Sequence, residues 1–144
     1  MFEKILYPTD FSDVSKKALD CIKQLKSAGE QMVVLLHVVD ERHFQTIEHF
    51  VSEQTKKMEI EILKHVDAEM NIVENELKQS GFLVKARIEV GIPLREILHV
   101  EKEEDVSAIV IGSHGKSNLQ EMFLGSVSEK VARRCEKPIL IVKR

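Results

Sequence analysis

Three of the chain's six glycines fall within fourteen consecutive positions: Gly112, Gly115 and Gly125, with Ser126 immediately after. The spacing is G-x2-G-x9-G-S. Glycine permits positive φ and lets backbone N–H groups approach an anion closely. Gly112 to Gly115 can therefore form an amide nest for phosphate oxygens. Gly125 and Ser126 lie where a helix is expected to begin. A helix start offers N–H groups, a positive dipole end and, here, a hydroxyl donor. Spacing alone leaves two readings level: a phosphate-binding loop, or a glycine turn followed by a helix cap. Two other phosphate motifs are excluded. Gly112-Ser113-His114-Gly115-Lys116-Ser117 reads GxxGKS, two residues short of GxxxxGK[ST]. No GxGxxG fingerprint follows the first strand, between Pro8 and Ser12.

Other polar residues carry a structural reading beside a chemical one. On its residues alone, Asp10 reads first as an Asx turn or cap ahead of a helix. Thr9 follows the same logic. His114 sits between two of the spaced glycines, where a protonated imidazole would neutralise phosphate charge; an exposed loop histidine is the simpler reading. Lys116 either attracts phosphate or is a solvated surface charge. Ser113 and Ser117 either donate to phosphate or cap the loop. His37 lies in a buried run and reads as a hydrogen-bonded core histidine. Cys21 and Cys135 are far apart and form no CxxC pair, which points to two reduced thiols. The six histidines form no HxH or HExxH unit, so a zinc enzyme has no support.

The elements that must position these residues alternate regularly. Phe2–Tyr7 reads as a strand ended by Pro8. Ser12 to about Ala28 reads as a helix, with Ser12 as N-cap, Ser15 as its rival and Gly29 as a C-cap candidate. Met32–Val39 is a short valine-rich run, the pattern of a strand buried on both faces. Residues 41–80 have helical periodicity, clearest at Leu63, Val66, Met70, Val73 and Leu77, and Gly81 closes them. So long a span suggests that its first part, around Glu41–Glu53, is a loop or mobile. Phe82–Val90 is a third strand, Leu94–Glu103 a helix and Val106–Ile111 a fourth strand. A helix lies within Leu119–Glu136, starting near Gly125, and Lys137–Lys143 is a fifth strand. The order β-α-β-α-β-α-β-α-β implies one α/β domain over residues 1–144, an open twisted five-stranded parallel sheet with helices on both faces. In such sheets ligands bind at the carboxyl ends of the strands.

The composition narrows the function further. In 144 residues, 43% hydrophobic and 31% charged, there is enough apolar material for one core. A net charge of −3 gives no support to nucleic-acid binding. Aromatics at 5%, with no tryptophan, make base-stacking platforms for single strands improbable. No apolar run approaches the ~18 residues a membrane span needs, and the N-terminus shows no signal peptide, so a cytoplasmic location is expected.

The segments ILYPTDFS, LLHVVD, GIP, GSHGKSNL and LGSVSEKVARRCEKPILIVKR, in that order, resemble the universal stress protein family. More narrowly, they are similar to its ATP-binding subclass, marked by G-x2-G-x9-G-(S/T). The resemblance runs end to end except over Glu41–Lys64. It implies a Rossmann-like, adenine nucleotide alpha hydrolase-like sheet of order 3-2-1-4-5, with ATP at the strand ends. Carried over, Pro8, Thr9 and Asp10 line the adenosine end and Val38 contacts adenine. Gly112, Gly115 and Gly125, with Ser126, fall on phosphates or ribose, accompanied by Ser113 and His114. Ile111 and Val127 pack against the nucleotide. Mg²⁺ or Mn²⁺ would enter through the phosphates. The resemblance also implies a homodimer pairing the last strand, Pro138, Ile139, Leu140, Ile141 and Val142. The function expected is a nucleotide-dependent regulatory stress-response protein, with a weak or partner-dependent ATPase as the alternative.

Overall fold

The computed structural model describes residues 2–42, 53–113 and 126–144. Five strands, β1 (Lys4–Pro8), β2 (Met32–Asp40), β3 (Leu83–Gly91), β4 (Ala108–Gly112) and β5 (Ile139–Val142), form one sheet in the order β3-β2-β1-β4-β5. All four pairings are parallel. Four helices connect them: α1 (Asp13–Gln24), α2 (Glu53–Gln79), α3 (Pro93–Glu103) and α4 (Ser126–Arg134). The expected fold class and strand order are those observed.

Period-two alternation divides the core between the two faces of the sheet. Ile5 and Tyr7 of β1, Val33, Leu35 and Val39 of β2, and Val110 of β4 pack with α1 and with Val66, Met70, Val73 and Leu77 of α2. Leu6, Val34, Leu36, Ile109 and Ile111 face the other way, onto Ile97 and Val100 of α3 and Val131 of α4. β1, β2 and β4 are apolar on both faces because both are covered.

Helix ends differ from expectation in one place. Ser12 is the N-cap of α1, its Oγ accepting from Ser15 N at 3.2 Å. The helix stops at Gln24, however, with Leu25 as C-cap, so Gly29 does not cap it. Gly29 instead takes φ +100 in the turn before β2. Gly81 does close α2: at φ +93 its N–H reaches Lys78 O at 3.0 Å, while Phe82 N reaches Leu77 O at 3.2 Å. This is a Schellman motif, and buried Leu77 and Phe82 supply its apolar contact. The loop expected around residues 41–53 lies mostly outside the described residues.

α2 is longer than the sheet it covers. Among the described side chains of residues 53–65 none is buried, and burial begins at Val66. Its first turns therefore project past the carboxyl ends of the strands and become a wall of the space beyond them. No described helix is long and apolar enough to cross a membrane.

Candidate functional site

β1 sits between β2, which follows it in sequence, and β4. Connections leave β1 toward one side and reach β4 on the other, so a crevice opens above β1. A cleft of about 530 Å³ occupies that position. Its lining includes Pro8, Thr9, Asp10, Val38, Ile111, Gly112, Ser113, Ser126 and Val127, nine of the expected site residues. His114, Gly115 and Gly125 lie outside the described residues.

The turn after β1 is held rigidly from below. Thr9 N donates to Leu36 O at 2.8 Å, extending the β1–β2 ladder past Pro8. Thr9 Oγ1 accepts from Phe11 N at 3.1 Å and shares a 2.6 Å hydrogen bond with Ser15 Oγ. The Tyr7 hydroxyl donates to Ser15 O at 2.6 Å, and burial raises its pKa above the usual tyrosine value. Asp10 Oδ1 accepts from Ser12 N at 3.0 Å, the Asx turn that the local sequence suggested. Between them Phe11 adopts φ +63, a left-handed conformation that these hydrogen bonds sustain. Its ring stacks on His37, with centroids 4.7 Å apart. His37 Nδ1 lies 2.7 Å from Thr9 O, and a carbonyl only accepts, so the imidazole carries a proton on Nδ1. His37 is hydrogen-bonded as expected, but it is half-buried at the cleft rather than enclosed in the core.

The β4 side is built from small residues and hydroxyls. Gly112 ends β4, and a Cβ there would come 2.9 Å from Val14 Cγ1 and 3.1 Å from Ser15 N. The missing side chain thus lets the first turn of α1 close against β4. Ser113 N donates to Val142 O, and Ser128 Oγ donates to Ser113 O, each at 2.8 Å. These bonds tie the start of α4 to the end of β4. Ser113 is wholly buried, whereas Ser126, at the first described position of α4, is exposed.

The β2 side carries larger side chains, both apolar and charged. Val38 is half-buried and packs against the core cluster that holds Ile97 of α3, while Ile62 and Val66 of α2 and Pro93 of α3 also line the cleft. Polar groups there are Asp40, Arg42 and His65. Asp40 closes the LLHVVD segment but has no role in the sequence-based expectations, and Arg42, Ile62 and His65 are absent from them. Asp40 and Arg42 had a local signal, a charged pair two residues apart where a strand ends. Ile62 and His65 had none, because only the overhang of α2 brings them to the cleft. β2 and β4 are second neighbours across β1, about 9–10 Å apart. The cleft can thus take a flat apolar group on one side and an anion near hydroxyls and a helix start on the other.

The universal stress protein family profile matches residues 1–143. The universal stress protein MJ0577 of Methanocaldococcus jannaschii is 40% identical over 156 residues, spanning 100% of this chain and 96% of that protein. The solved structure of MJ0577 superposes with a TM-score of 0.91 at 42% identity, covering 100% of this chain and 97% of its own. A universal stress protein solved in complex with cAMP has the same fold at 22% identity, with a TM-score of 0.71 and coverage of 99% and 97%. A family member from Arabidopsis thaliana solved with AMP bound has it at 19% identity, with a TM-score of 0.65 and coverage of 98% and 91%. The chain belongs to the universal stress protein family.

Proposed function

We propose that this protein binds ATP in the cleft above β1 and works as a nucleotide-dependent regulatory protein of the stress response. The observation that carries this reading is the cleft's two-sided chemistry. Val38, Ile62 and Ile97 offer an apolar bed on the β2 side, and Gly112, Ser126 and the start of α4 offer small and hydroxyl groups on the β4 side. An adenine base suits the first and phosphates suit the second. Adenine nucleotides in two relatives, cAMP in one and AMP in the other, support the same ligand class. His114, Gly115 and Gly125 complete the phosphate side in this reading, by virtue of their place in the motif.

Asp10 and Asp40 are the carboxylates among the described lining residues. Asp10 is hydrogen-bonded to Ser12 N and Asp40 to Arg42. No group of three or more His, Cys, Asp or Glu among the described residues could hold a metal ion. Mg²⁺ or Mn²⁺ would enter with the phosphates, and Asp10, which lines the cleft, would be the residue to hold a water of its shell. The same engagement of Asp10 in its turn weighs against a general base, so binding is favoured over a weak ATPase.

The decisive experiment is to denature the purified protein and identify any released nucleotide by mass and absorbance. Calorimetric titration of the stripped protein with ATP, with and without Mg²⁺, follows. Saturable ATP binding is the expected result; absence of any adenine nucleotide in both experiments would overturn the reading.

A further inference from the structure

Arg42 is the only lysine or arginine among the described residues lining the cleft, and its position is on the β2 side. Asp40 is the last residue of β2. Its Oδ1 accepts from Arg42 N at 3.0 Å and from Arg42 Nε at 2.9 Å, while its Oδ2 accepts from Arg42 Nη2 at 2.5 Å. The side chains thus meet as a two-pronged fork, which fixes the plane of the guanidinium as well as its location. The carboxylate is the anchored partner, 16% exposed against 61% for Arg42. Hydrogen bonding to Asp40 raises the Arg42 pKa further, so the group stays charged.

Such a group can serve a nucleotide through its charge or through its flat face. Charge is the weaker case. The hydroxyl and glycine side of the cleft lies across β1, about 9–10 Å away, and Asp40 cancels most of the field that Arg42 would present to a polyanion. The flat face suits its surroundings better. Val38 of β2 and Ile62 of α2 line the same cleft as Arg42 and offer apolar surface to a ring, and guanidinium groups stack on aromatic rings.

We infer that Arg42, held in plane by Asp40, stacks on the base of the bound nucleotide and is a specificity-determining contact of this site. The inference rests on the nucleotide reading above and adds a residue outside the glycine motif. It predicts a preference for ligands with a flat heteroaromatic ring, whatever their phosphate count.

The test titrates nucleotide-stripped wild type, Arg42→Ala and Arg42→Lys with both ATP and adenosine. Removing the stack should weaken both ligands by the same factor, about fivefold to thirtyfold. Arg42→Lys should recover only part of the loss for each ligand, because an ammonium keeps some cation–π attraction but has no plane to stack. The lysine variant also keeps the test valid should the alanine variant fold poorly. A loss confined to ATP and rescued by lysine would overturn stacking in favour of phosphate attraction. Unchanged affinity for both ligands would overturn the role of Arg42 while leaving nucleotide binding intact. If wild type binds neither ligand, both the nucleotide reading and this inference fall.

Discussion

Gly112 has a reason to be glycine that precedes any ligand. A Cβ at this position would meet Val14 Cγ1 at 2.9 Å and Ser15 N at 3.1 Å, both in the first turn of α1. One neighbour is backbone, so the clash is not relieved by a rotamer change. Gly112→Val is expected to destabilise the fold by about 1–3 kcal/mol, seen as a lower urea midpoint even without nucleotide. The glycine spacing was therefore legible in the sequence, but the packing part of its cause was not, because α1 and β4 are distant in the chain. Glu101 shows the same gap. It is 1% exposed, and its Oε1 accepts from Glu136 N and Lys137 N, each at 2.8 Å, holding the turn into β5. Nothing local marks a helical glutamate as the acceptor for a turn some 35 residues later. Glu101→Leu leaves two N–H groups without that acceptor and should cost about 2–4 kcal/mol. Glu101→Gln, which keeps a carbonyl there, should cost less, and chemical denaturation of both variants reads the difference.

At the scale of elements, β2 and β4 were easy to find because burial on both faces leaves continuous apolar runs, and α2 because Leu63, Val66, Met70, Val73 and Leu77 step by threes and fours. The end of α1 was harder: Gly29 has the positive φ of a cap but serves the turn after it. Ion pairing between elements was not legible either. Glu104, the C-cap of α3, pairs with Lys4 of β1 at 3.4 Å and with Lys85 and Arg87 of β3 at 2.7 and 2.9 Å. Its side chain is only 6% exposed. The hydrogen bond from Lys85 is the main influence lowering its pKa below the ordinary 4.5; burial opposes it and Arg87 reinforces it. A carboxylate with a depressed folded pKa contributes stability that is fully present above its unfolded pKa and disappears as pH falls through the folded value. Glu104 therefore fastens α3 to the sheet at neutral pH and releases it in acid, below 4.5. Glu104→Gln should cost about 1–2 kcal/mol at pH 7 and progressively less in acid. Parallel stability curves for variant and wild type from pH 7 to pH 3 would refute that assignment.

At the scale of the molecule, an open sheet has two edges, and they are not equivalent. β3 carries Lys85, Arg87 and Glu89, and charged side chains discourage edge pairing. β5, Ile139–Val142, is short and carries none. Its ladder also shows which of its groups face outward. Ile109 N donates to Pro138 O and Ser113 N to Val142 O, so the even-numbered positions of β5 turn their backbone groups toward β4. The alternation of a strand then directs the N–H and C=O of Ile139 and Ile141 outward. Leu140, 37% exposed, adds apolar surface at the same edge. These features suit the homodimer that the family resemblance implies, in which two copies would pair β5 antiparallel and extend the sheet across both subunits. Ile141→Pro removes one outward donor while leaving the β4 ladder intact, and proline is tolerated on an edge strand. Wild type should sediment as a dimer and Ile141→Pro as a monomer, with circular dichroism confirming that each variant remains folded. A folded Ile141→Pro dimer would move the interface elsewhere. The cleft stands above β1, the central strand, and is lined from both β2 and β4, so in a β5 dimer β4 and β5 would separate each nucleotide site from the subunit boundary. Loss of the dimer should then lower ATP affinity only if occupancy and assembly are coupled. Equal affinity in monomer and dimer would make nucleotide binding a property of the single domain.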